Sequence, residues 1–311
     1  MYDVGRMMSD VLFAARIFPH RLHLLTTKPL FVLLPAGSYS YTINTTIMDL
    51  QLTDRTAFIS GSTAGIGFAI AKRLLDEGAT VYINGRTQEG VDTAVKELSR
   101  LVNNARVSGI AADFSKVDEV NALLRQLPEV DILINNAGIF EPKPFEAIPD
   151  QDWFRFFEVN VMSGVRLSRH YFPGMLAKNW GRIIFISSES AVFIPSEMIH
   201  YGMTKTAQIA VSRGLAELTK GTHVTVNSIL PGPTKSKGVG GFIEDLSRAE
   251  NKSTDEVEKD FFNHMRPTSL LQRFSSVDEI ADTVAYFASP LASATNGASI
   301  RADGGLIRSI L

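Results

Sequence analysis

The sequence predicts an α/β fold, namely a doubly wound parallel sheet of the Rossmann type with about seven strands and helices on both faces. Two observations lead to this prediction. Short apolar runs with strand character alternate with helical patterns from residue 56 to residue 302, and the connections between them are short. The runs are also nearly continuous in their apolar character, which is typical of parallel strands covered on both faces.

The first strand and helix flank a glycine-rich turn. Thr56–Ser60 is a β-rich run, and a helical pattern with apolar residues at Ile66, Ile70, Leu74 and Leu75 follows it. Between them the glycines are spaced GxxxGxG, at Gly61, Gly65 and Gly67. Glycines permit a tight turn and let the backbone approach a pyrophosphate, whose charge is favoured at a helix N-terminus. This turn therefore predicts a dinucleotide site.

The later elements follow in the same alternation. Right-handed crossovers between parallel strands explain such a pattern. The predicted elements are strand two at Thr80–Asn84, a helix at Gln88–Val102, strand three at Val107–Ala112, a helix through Val117 to Leu127, strand four at Asp131–Asn135, strand five from Gly181, a helix from Tyr201 to about Leu218, strand six at His223–Ile229, a helix at Val277–Ala288 and a last strand at Ala298–Ala302.

Residues 235–268 stand apart as a long polar insertion. Ser253 and Glu256 have the spacing of a capping box, and Val257, Phe261 and Met265 give a short amphipathic helix after it. Polarity, glycines and a capped helix favour a lid over a substrate. We expect this segment to be the most mobile part of residues 48–311.

Residues 1–47 differ in composition from the rest. They contain four basic residues but only Asp3 and Asp10 as acids, and prolines interrupt their short apolar runs. A disordered leader or a non-native upstream start is the favoured interpretation, and a targeting presequence is the alternative. We treat residues 48–311 as a single domain and expect a chain that begins at Met48 to be active.

Composition excludes several classes of function. The net charge is −2 and there is no cysteine, so we expect no nucleic-acid surface, disulfide, cysteine nucleophile or thiolate metal site. The six histidines are scattered, so no metal site is predicted. No apolar run approaches the roughly 18 residues of a membrane span. We expect a cytoplasmic protein, and residues 1–47 leave organellar import open.

The stretch from Gly181 to Lys205 is expected to carry the chemistry. A strand ends at Ser187 and Ser188, and Tyr201 and Lys205 stand four residues apart on a helix, so they share a face. An ammonium beside a phenol lowers the pKa of the phenol, which makes a proton donor or acceptor usable near neutral pH. Ser188 would bond the same substrate oxygen, whereas Ser187 points to the other side of the strand.

These motifs, in this order, resemble the short-chain dehydrogenase/reductase family over about residues 52–305. The resemblance implies that Tyr201 is the general acid or base, that Lys205 tunes it and binds the nicotinamide ribose, and that Ser188 polarises the substrate oxygen. Asn160 is implied to hold a water that links Lys205 to solvent. Beside Tyr201 and Lys205, the implied cofactor-binding residues are Gly61, Ser62, Thr63, Gly65, Ile66, Gly67, Asp113, Asn136, Ala137, Gly138, Pro231, Gly232 and Thr234.

One departure from the family pattern concerns the cofactor. Asn84, Gly85 and Arg86 end strand two, where an acid would bind the ribose hydroxyls of NAD. Arg86 is planar and permanently charged and suits a 2′-phosphate. We therefore expect NADP(H) to be preferred, with NAD(H) also usable and with an arginine that points into solvent as the other interpretation.

The predicted function is hydride transfer between NADP(H) and a carbonyl or secondary alcohol, as in 3-oxoacyl, sugar, polyol or ketone reductases. An enoyl reductase fits less well, because its tyrosine and lysine stand further apart. The alternative from another class is a catalytically idle NADP(H)-binding regulator.

His200 and Glu189 are expected to be lining or surface residues. Two interpretations remain for a set of apolar residues, namely an apolar wall of the substrate site or merely a hydrophobic loop. These residues are Phe140, Val192, Phe193, Ile194 and Met198. The resemblance also implies a homotetramer built on helices around residues 153–176 and 201–218.

Overall fold

The computed structural model describes residues 48–310. This part of the chain contains seven strands, and each pair of hydrogen-bonded neighbouring strands is parallel. They are β1 (Thr56–Ile59), β2 (Thr80–Gly85), β3 (Arg106–Ala111), β4 (Ile132–Asn135), β5 (Gly181–Ile186), β6 (Val224–Pro231) and β7 (Ser299–Ala302). They form one sheet in the order β3-β2-β1-β4-β5-β6-β7, which confirms the predicted doubly wound fold.

Helices connect the strands, and the bounds of the helices that follow β1, β2, β3 and β5, and of the last helix, agree with the predicted ones to within a few residues. The α-helices are α1 (Gly65–Asp76), α2 (Gln88–Leu101), α3 (Val117–Gln126), α4 (Asp150–Phe157), α5 (Ser163–Ala177), α6 (Ile199–Glu217), α7 (Lys237–Glu250), α8 (Thr254–Asp260) and α9 (Val277–Ala288). A π-helical turn, Glu158–Met162, joins α4 to α5, and a second one, Phe261–Met265, extends α8.

Alternate residues of the sheet feed two separate cores. In β1, Ala57 and Ile59 pack into the core on one face, while Phe58 packs into the core on the other face. Helices α1, α2 and α9 cover the first face, and α3, α5 and α6 cover the second. Both sheet faces are therefore dry, which explains the near-continuous apolar character of the strands.

The insertion at 235–268 is more ordered in its architecture than the sequence predicted. The predicted capping box is present, because the Ser253 Oγ accepts a hydrogen bond from the Glu256 amide while the Glu256 carboxylate accepts one from the Ser253 amide. The expectation of a polar segment with one short helix is wrong, since α7 precedes α8 and buries its own apolar residues. Apolar residues of this region form a third hydrophobic cluster, separate from the two cores of the sheet. Its buried members are Ile243, Val257, Phe262 and Phe274.

Glycines explain why α7 escaped prediction. Gly238, Gly240 and Gly241 lie in its first turns, and each glycine costs a helix about 1 kcal/mol relative to alanine. Packing of Ile243 into the third cluster outweighs that low propensity.

Asp49–Leu311 forms one compact unit by itself. The predictions made for residues 1–47 lie outside the described residues. No helix within 48–310 combines the length and the apolar character that a membrane span needs.

The strand order places the site. All the strands are parallel, so their carboxyl ends meet at one edge of the sheet. The chain winds outward from β1 to β3 on one side and from β4 to β7 on the other, which opens a crevice between β1 and β4 at that edge.

Candidate active site

The end of β5 and the start of α6 bring three predicted residues together. Ser188 stands just beyond β5, and Tyr201 and Lys205 lie on one face of α6. The Ser188 hydroxyl and the Tyr201 phenol line the same cavity, and the hydroxyl acts to lower the pKa of the phenol. The Lys205 Nζ lies 5.6 Å from the centre of the Tyr201 ring. Ser187 takes the structural position that was expected, since its Oγ donates to the Lys205 carbonyl at 2.8 Å.

Burial dominates the ionisation of Tyr201. It raises the pKa of the phenol, the negative charge of Glu189 raises it further, and the Ser188 hydroxyl opposes both. Burial also lowers the pKa of Lys205 to about 8, and Glu189 opposes that shift. The expectation that Lys205 lowers the pKa of Tyr201 is therefore wrong for the protein alone, because desolvation of the buried phenol is the larger effect.

Asn160 lies in the π-helical turn between α4 and α5 and is fully buried. Its side chain bonds the backbone of Ile139, with the Oδ1 at 2.8 Å from the amide nitrogen and the Nδ2 at 3.0 Å from the carbonyl oxygen. The Nδ2 also donates to the Thr204 Oγ1 on α6, at 2.9 Å. The turn thus ties Asn160 to the helix that carries Tyr201 and Lys205.

Gln208 is a residue that the sequence analysis missed. Its Oε1 accepts from the Lys205 Nζ at 3.3 Å, and its Nε2 donates to the Asn160 carbonyl at 2.5 Å. The Gln208 side chain therefore bridges Lys205 and Asn160, where a water held by Asn160 was expected to link Lys205 to solvent. The signal available in the sequence was a polar residue three positions after Lys205, on the same face of the helix. Its exposure of only 2% is seen in the structure alone.

Glu189 was expected to be a lining or surface residue. The structure makes it a lining residue, since it is buried in the wall of the cavity that holds Ser188, Tyr201 and Lys205. Its Oε2 accepts from the Ser188 Oγ at 2.5 Å. Its Oε1 lies 3.7 Å from the Nε of Arg266, which is also buried. Arg266 follows the second π-helical turn, so no local pattern indicated this ion pair.

His200 was expected to be a lining or surface residue, but it lies neither on the surface nor in the wall of either cavity of the candidate site. The ring is fully buried and packs on Phe156 at 4.1 Å between ring centres, with Trp153 at 5.9 Å. Neither ring nitrogen has a hydrogen-bond partner, and burial lowers the pKa of the imidazole. A neutral histidine in an aromatic cluster is the result.

The glycine turn has the shape of a cradle. Gly61 and Gly65 both have a φ of +60°, a conformation that glycine adopts without strain. A Cβ on Gly67 would lie 2.5 Å from the Asn136 Nδ2. Helix α1 begins at Gly65 with its first amides free of helical partners, which suits a phosphate.

Buried polar groups hold that cradle in place. The Asn136 Nδ2 donates to the carbonyls of Ser60 and Gly61 at 3.0 and 2.7 Å. Ser62 was predicted to touch a cofactor, but it is fully buried and its groups are used within the turn. Its Oγ donates to the Ile59 carbonyl at 2.7 Å, and its amide donates to the Asn84 carbonyl at 2.8 Å. Ser62 thus supports the turn and offers no free group.

A cavity of about 470 Å³ lies at the carboxyl edge between the cradle and the catalytic group. Residues of the insertion form part of its wall. Phe140 and Met198 line it, whereas Val192, Phe193 and Ile194 do not and are about half exposed. The predicted residues that line it are Ile66, Asn136, Gly138, Ser188, Tyr201, Lys205, Pro231, Gly232 and Thr234.

A second cavity of about 410 Å³ opens beside the end of β2. It brings together three of the predicted cofactor-binding residues, Thr63, Arg86 and Asp113. Lys116 also lines it and was missed by the sequence analysis. Two cations therefore face this cavity, although Lys116 also pairs with Glu119 at 2.8 Å.

These features fit a nicotinamide dinucleotide. The cradle would hold the pyrophosphate, the second cavity the adenosine and the first cavity the nicotinamide with its substrate. No group of three or more His, Cys, Asp or Glu side chains among residues 48–310 could hold a metal ion. Fold and site thus define a dinucleotide-binding oxidoreductase of the doubly wound class.

The comparison with known families identifies the particular family within this class. Residues 55–246 match the short chain dehydrogenase family, so the chain belongs to the short-chain dehydrogenase/reductases and is an NAD(P)-dependent oxidoreductase.

Similar proteins include oxidoreductases of several kinds. The chain is 52% identical to the uncharacterized oxidoreductase YvrD of Bacillus subtilis, over 85% of this chain and 100% of that protein. It is 30% identical to the D-beta-hydroxybutyrate dehydrogenase of Cupriavidus necator, over 83% and 99% of the two chains. The crystal structure of L-sorbose reductase from Gluconobacter frateurii, complexed with NADPH and L-sorbose, aligns with a TM-score of 0.80 at 28% identity. That alignment covers 85% of this chain and 100% of the other.

Proposed function

We propose that this chain interconverts a carbonyl group and a secondary alcohol, with NADP(H) preferred to NAD(H). The observation that carries the proposal is the meeting of Ser188, Tyr201 and Lys205 in one cavity, directly beside a glycine cradle at the carboxyl edge of the sheet. Each of these three side chains is on a rigid element or at its end, so the geometry is fixed before substrate enters.

Tyr201 and Ser188 would handle the oxygen of the substrate. The Tyr201 phenol gives its proton to the carbonyl oxygen in reduction and takes it back in oxidation. Ser188 stands beside the phenol, so a developing alkoxide meets two hydroxyl groups at once. A nicotinamide bound in the same cavity supplies or accepts the hydride at the carbonyl carbon.

Lys205 would position the cofactor rather than donate a proton to the substrate. Its ammonium is fixed by the carbonyl of Ile186 at 2.9 Å and by Gln208. That fixation leaves one donor free for the ribose of the cofactor, because an ammonium has three. In this role Lys205 acts on cofactor affinity as well as on catalysis.

The preference for NADP(H) is supported by charge in the second cavity. Arg86 and Lys116 both line it, and one carboxylate oxygen of Asp113, the acid there, accepts from the Ser115 amide and hydroxyl at 2.9 and 2.8 Å. A 2′-phosphate would meet two cations there. NADPH in the related L-sorbose reductase is consistent with this assignment.

The substrate class is a small ketone or the corresponding alcohol. The related L-sorbose reductase and D-beta-hydroxybutyrate dehydrogenase act, by name, on a sugar and on a hydroxy acid, and the cavity of about 470 Å³ has room for either. We further propose a homo-oligomer, with α4, α5 and α6 at its interfaces. The expectation of a cytoplasmic location stays a prediction.

NADPH oxidation against a panel of ketones tests the proposal. The panel should include ketoses, 3-oxo acids and 3-oxoacyl thioesters, and it should be run with the wild-type protein and Tyr201→Phe. The variant keeps the ring and the cavity but has no proton to give, so its rate should fall by about 10²-fold or more while NADPH affinity changes little.

The same experiment separates the two candidate functions. Near-normal turnover of Tyr201→Phe would refute the assigned role. Tight NADPH binding by a wild-type protein that turns over no ketone or alcohol would favour the idle regulator.

A further inference from the structure

One arginine and two glutamates lie together in the wall of the larger cavity. Glu189 lies just after β5, Glu197 just before α6 and Arg266 just after the second π-helical turn, and all three line this cavity. Among the described residues, Arg266 and Lys205 are the cations of the wall. The charges that a substrate meets in this cavity are therefore set by a small group of side chains.

The Arg266 guanidinium already has partners within the protein. Both terminal nitrogens donate to the Glu197 Oε1 at 3.2 Å, and Nη1 also donates to the Met265 carbonyl at 2.8 Å. The Nε is buried and lies 3.7 Å from the Glu189 Oε1, and the guanidinium carbon lies 5.7 Å from the centre of the Phe261 ring. A substrate carboxylate could form a bidentate pair with Arg266 only by displacing Glu197.

The carboxylates balance or exceed the charge of Arg266. Glu197 alone matches its single positive charge, so no surplus positive charge remains there in either ionisation state of Glu189. The other cation is Lys205, whose remaining donor is assigned to the ribose of the cofactor in the proposed function. A substrate carboxylate would thus give up its water without gaining a cation, which is unfavourable in a closed site.

Glu189 also stands close to the point where the substrate carbonyl would bind. Its Oε2 lies 2.5 Å from the Ser188 Oγ, and Ser188 is the hydroxyl that the proposed function places beside the substrate oxygen. A carboxylate one or two carbons from the carbonyl would come close to Glu189. Whenever Glu189 is ionised, that carboxylate meets a like charge.

We propose that this cavity takes ketones that are uncharged near the carbonyl and rejects 2-oxo and 3-oxo acids. This inference rests on the proposed function and narrows it. The cavity of about 470 Å³ has room for a sugar or a hydroxy acid, so charge rather than size makes the distinction. Much of the remaining wall is apolar and suits an uncharged chain or ring. Apolar residues of the wall include Phe140, Met198, Ile243, Phe261 and Met265.

Pairs of an oxo acid and its methyl ester test this proposal in the full-length protein. Suitable pairs are acetoacetate with methyl acetoacetate and benzoylformate with methyl benzoylformate, because the two members of each pair differ in charge but little in shape. With NADPH, we expect kcat/KM to be about 100-fold or more higher for the ester than for the acid. An acid that is reduced as efficiently as its ester would overturn the proposal.

Glu197→Gln should relax the selection against acids. Glutamine keeps an oxygen that can accept from Arg266 but removes the charge, so the guanidinium can attract a carboxylate. We expect the ratio of kcat/KM for the acid to that for the ester to rise about tenfold. Such a gain for the acid cannot come from poor folding. An unchanged ratio would contradict the role given to Arg266 and Glu197.

Glu141→Gln is the matched control. Glu141 is also a partly exposed glutamate in an ion pair, with Arg155 at 2.9 Å, but it does not line the cavity. The ratio of acid to ester should keep its wild-type value in this variant. An equal rise in both variants would mean that the overall charge of the protein acts, and it would overturn the proposal.

A second readout needs no turnover. Calorimetry of the NADPH complex of Tyr201→Phe with the same four compounds measures their binding directly. We expect each ester to bind more tightly than its acid, and an ester that binds no better than its acid would overturn the proposal. If the wild-type protein reduces no carbonyl compound, the proposed function fails, whereas these binding measurements still decide whether the cavity selects against negative charge.

Discussion

Replacing Arg86 by alanine is expected to weaken NADPH binding about tenfold and to leave NADH binding nearly unchanged. A hydrogen bond to a charged group contributes about 1.5–3 kcal/mol. Arg86 is exposed at the rim of the second cavity, so the lower end applies, and about 1.4 kcal/mol corresponds to a factor of ten in Kd.

The structure also ranks the two cations of this cavity. Lys116 already pairs with Glu119 at 2.8 Å on the surface, so its charge is partly neutralised before any phosphate binds. Lys116→Ala should therefore weaken NADPH binding less than Arg86→Ala, by about threefold, in line with the small contributions of exposed pairs.

Fluorescence or calorimetric titration of both cofactors measures these effects. Arg125 is exposed in α3 and lies outside the second cavity, so Arg125→Ala is the matched control for loss of a surface arginine. The NADPH effect of Arg86→Ala should shrink at high ionic strength. An equal loss for NADH and NADPH, or a wild-type protein that binds NADH more tightly, would refute a contact between Arg86 and the 2′-phosphate.

Three further predictions concern the cradle, the lysine and the insertion. Gly67→Ala places a Cβ 2.5 Å from the Asn136 Nδ2, so it should cost roughly 1–3 kcal/mol of stability and most cofactor binding. Gly214→Ala, with open space around the added Cβ, should cost neither in the same thermal melts and titrations. The pKa of Lys205 is about 8, so its ammonium is lost as the pH rises through that value. Cofactor affinity should then fall by about tenfold per pH unit above it, and a flat affinity would contradict this role. Hydrogen exchange in residues 235–268 should slow when NADPH and a ketone bind, and equal protection in both states would count against a lid.

The fold and much of the candidate site could be predicted because their signals are local. Strands and helices can be told apart by the spacing of their apolar residues, which is visible in the sequence itself. The GxxxGxG turn at Gly61 is set by backbone freedom within seven residues. Tyr201 and Lys205 meet because one helical turn separates them, and Ser188 joins them because β5 ends beside that helix.

Helix α7 could not be predicted, because its local signals point away from a helix. Its glycines argue against a helix locally, and only packing of the insertion into its own hydrophobic cluster outweighs them. Ser62 shows the converse case, since it lies inside a well-predicted motif but its hydroxyl is used to hold the turn together.

The alternation of strands and helices, the glycine turn and the pairing of Tyr201 with Lys205 therefore follow from the sequence alone, because each of these signals lies within a few neighbouring residues. The tertiary structure alone decided the ionisation of the site. Burial dominates the pKa of Tyr201, Glu189 bonds Ser188 under the shared charge of Arg266, and Gln208 spans Lys205 and Asn160. Desolvation and charge depend on what surrounds a group in three dimensions, and the partners here come from elements far apart in the chain.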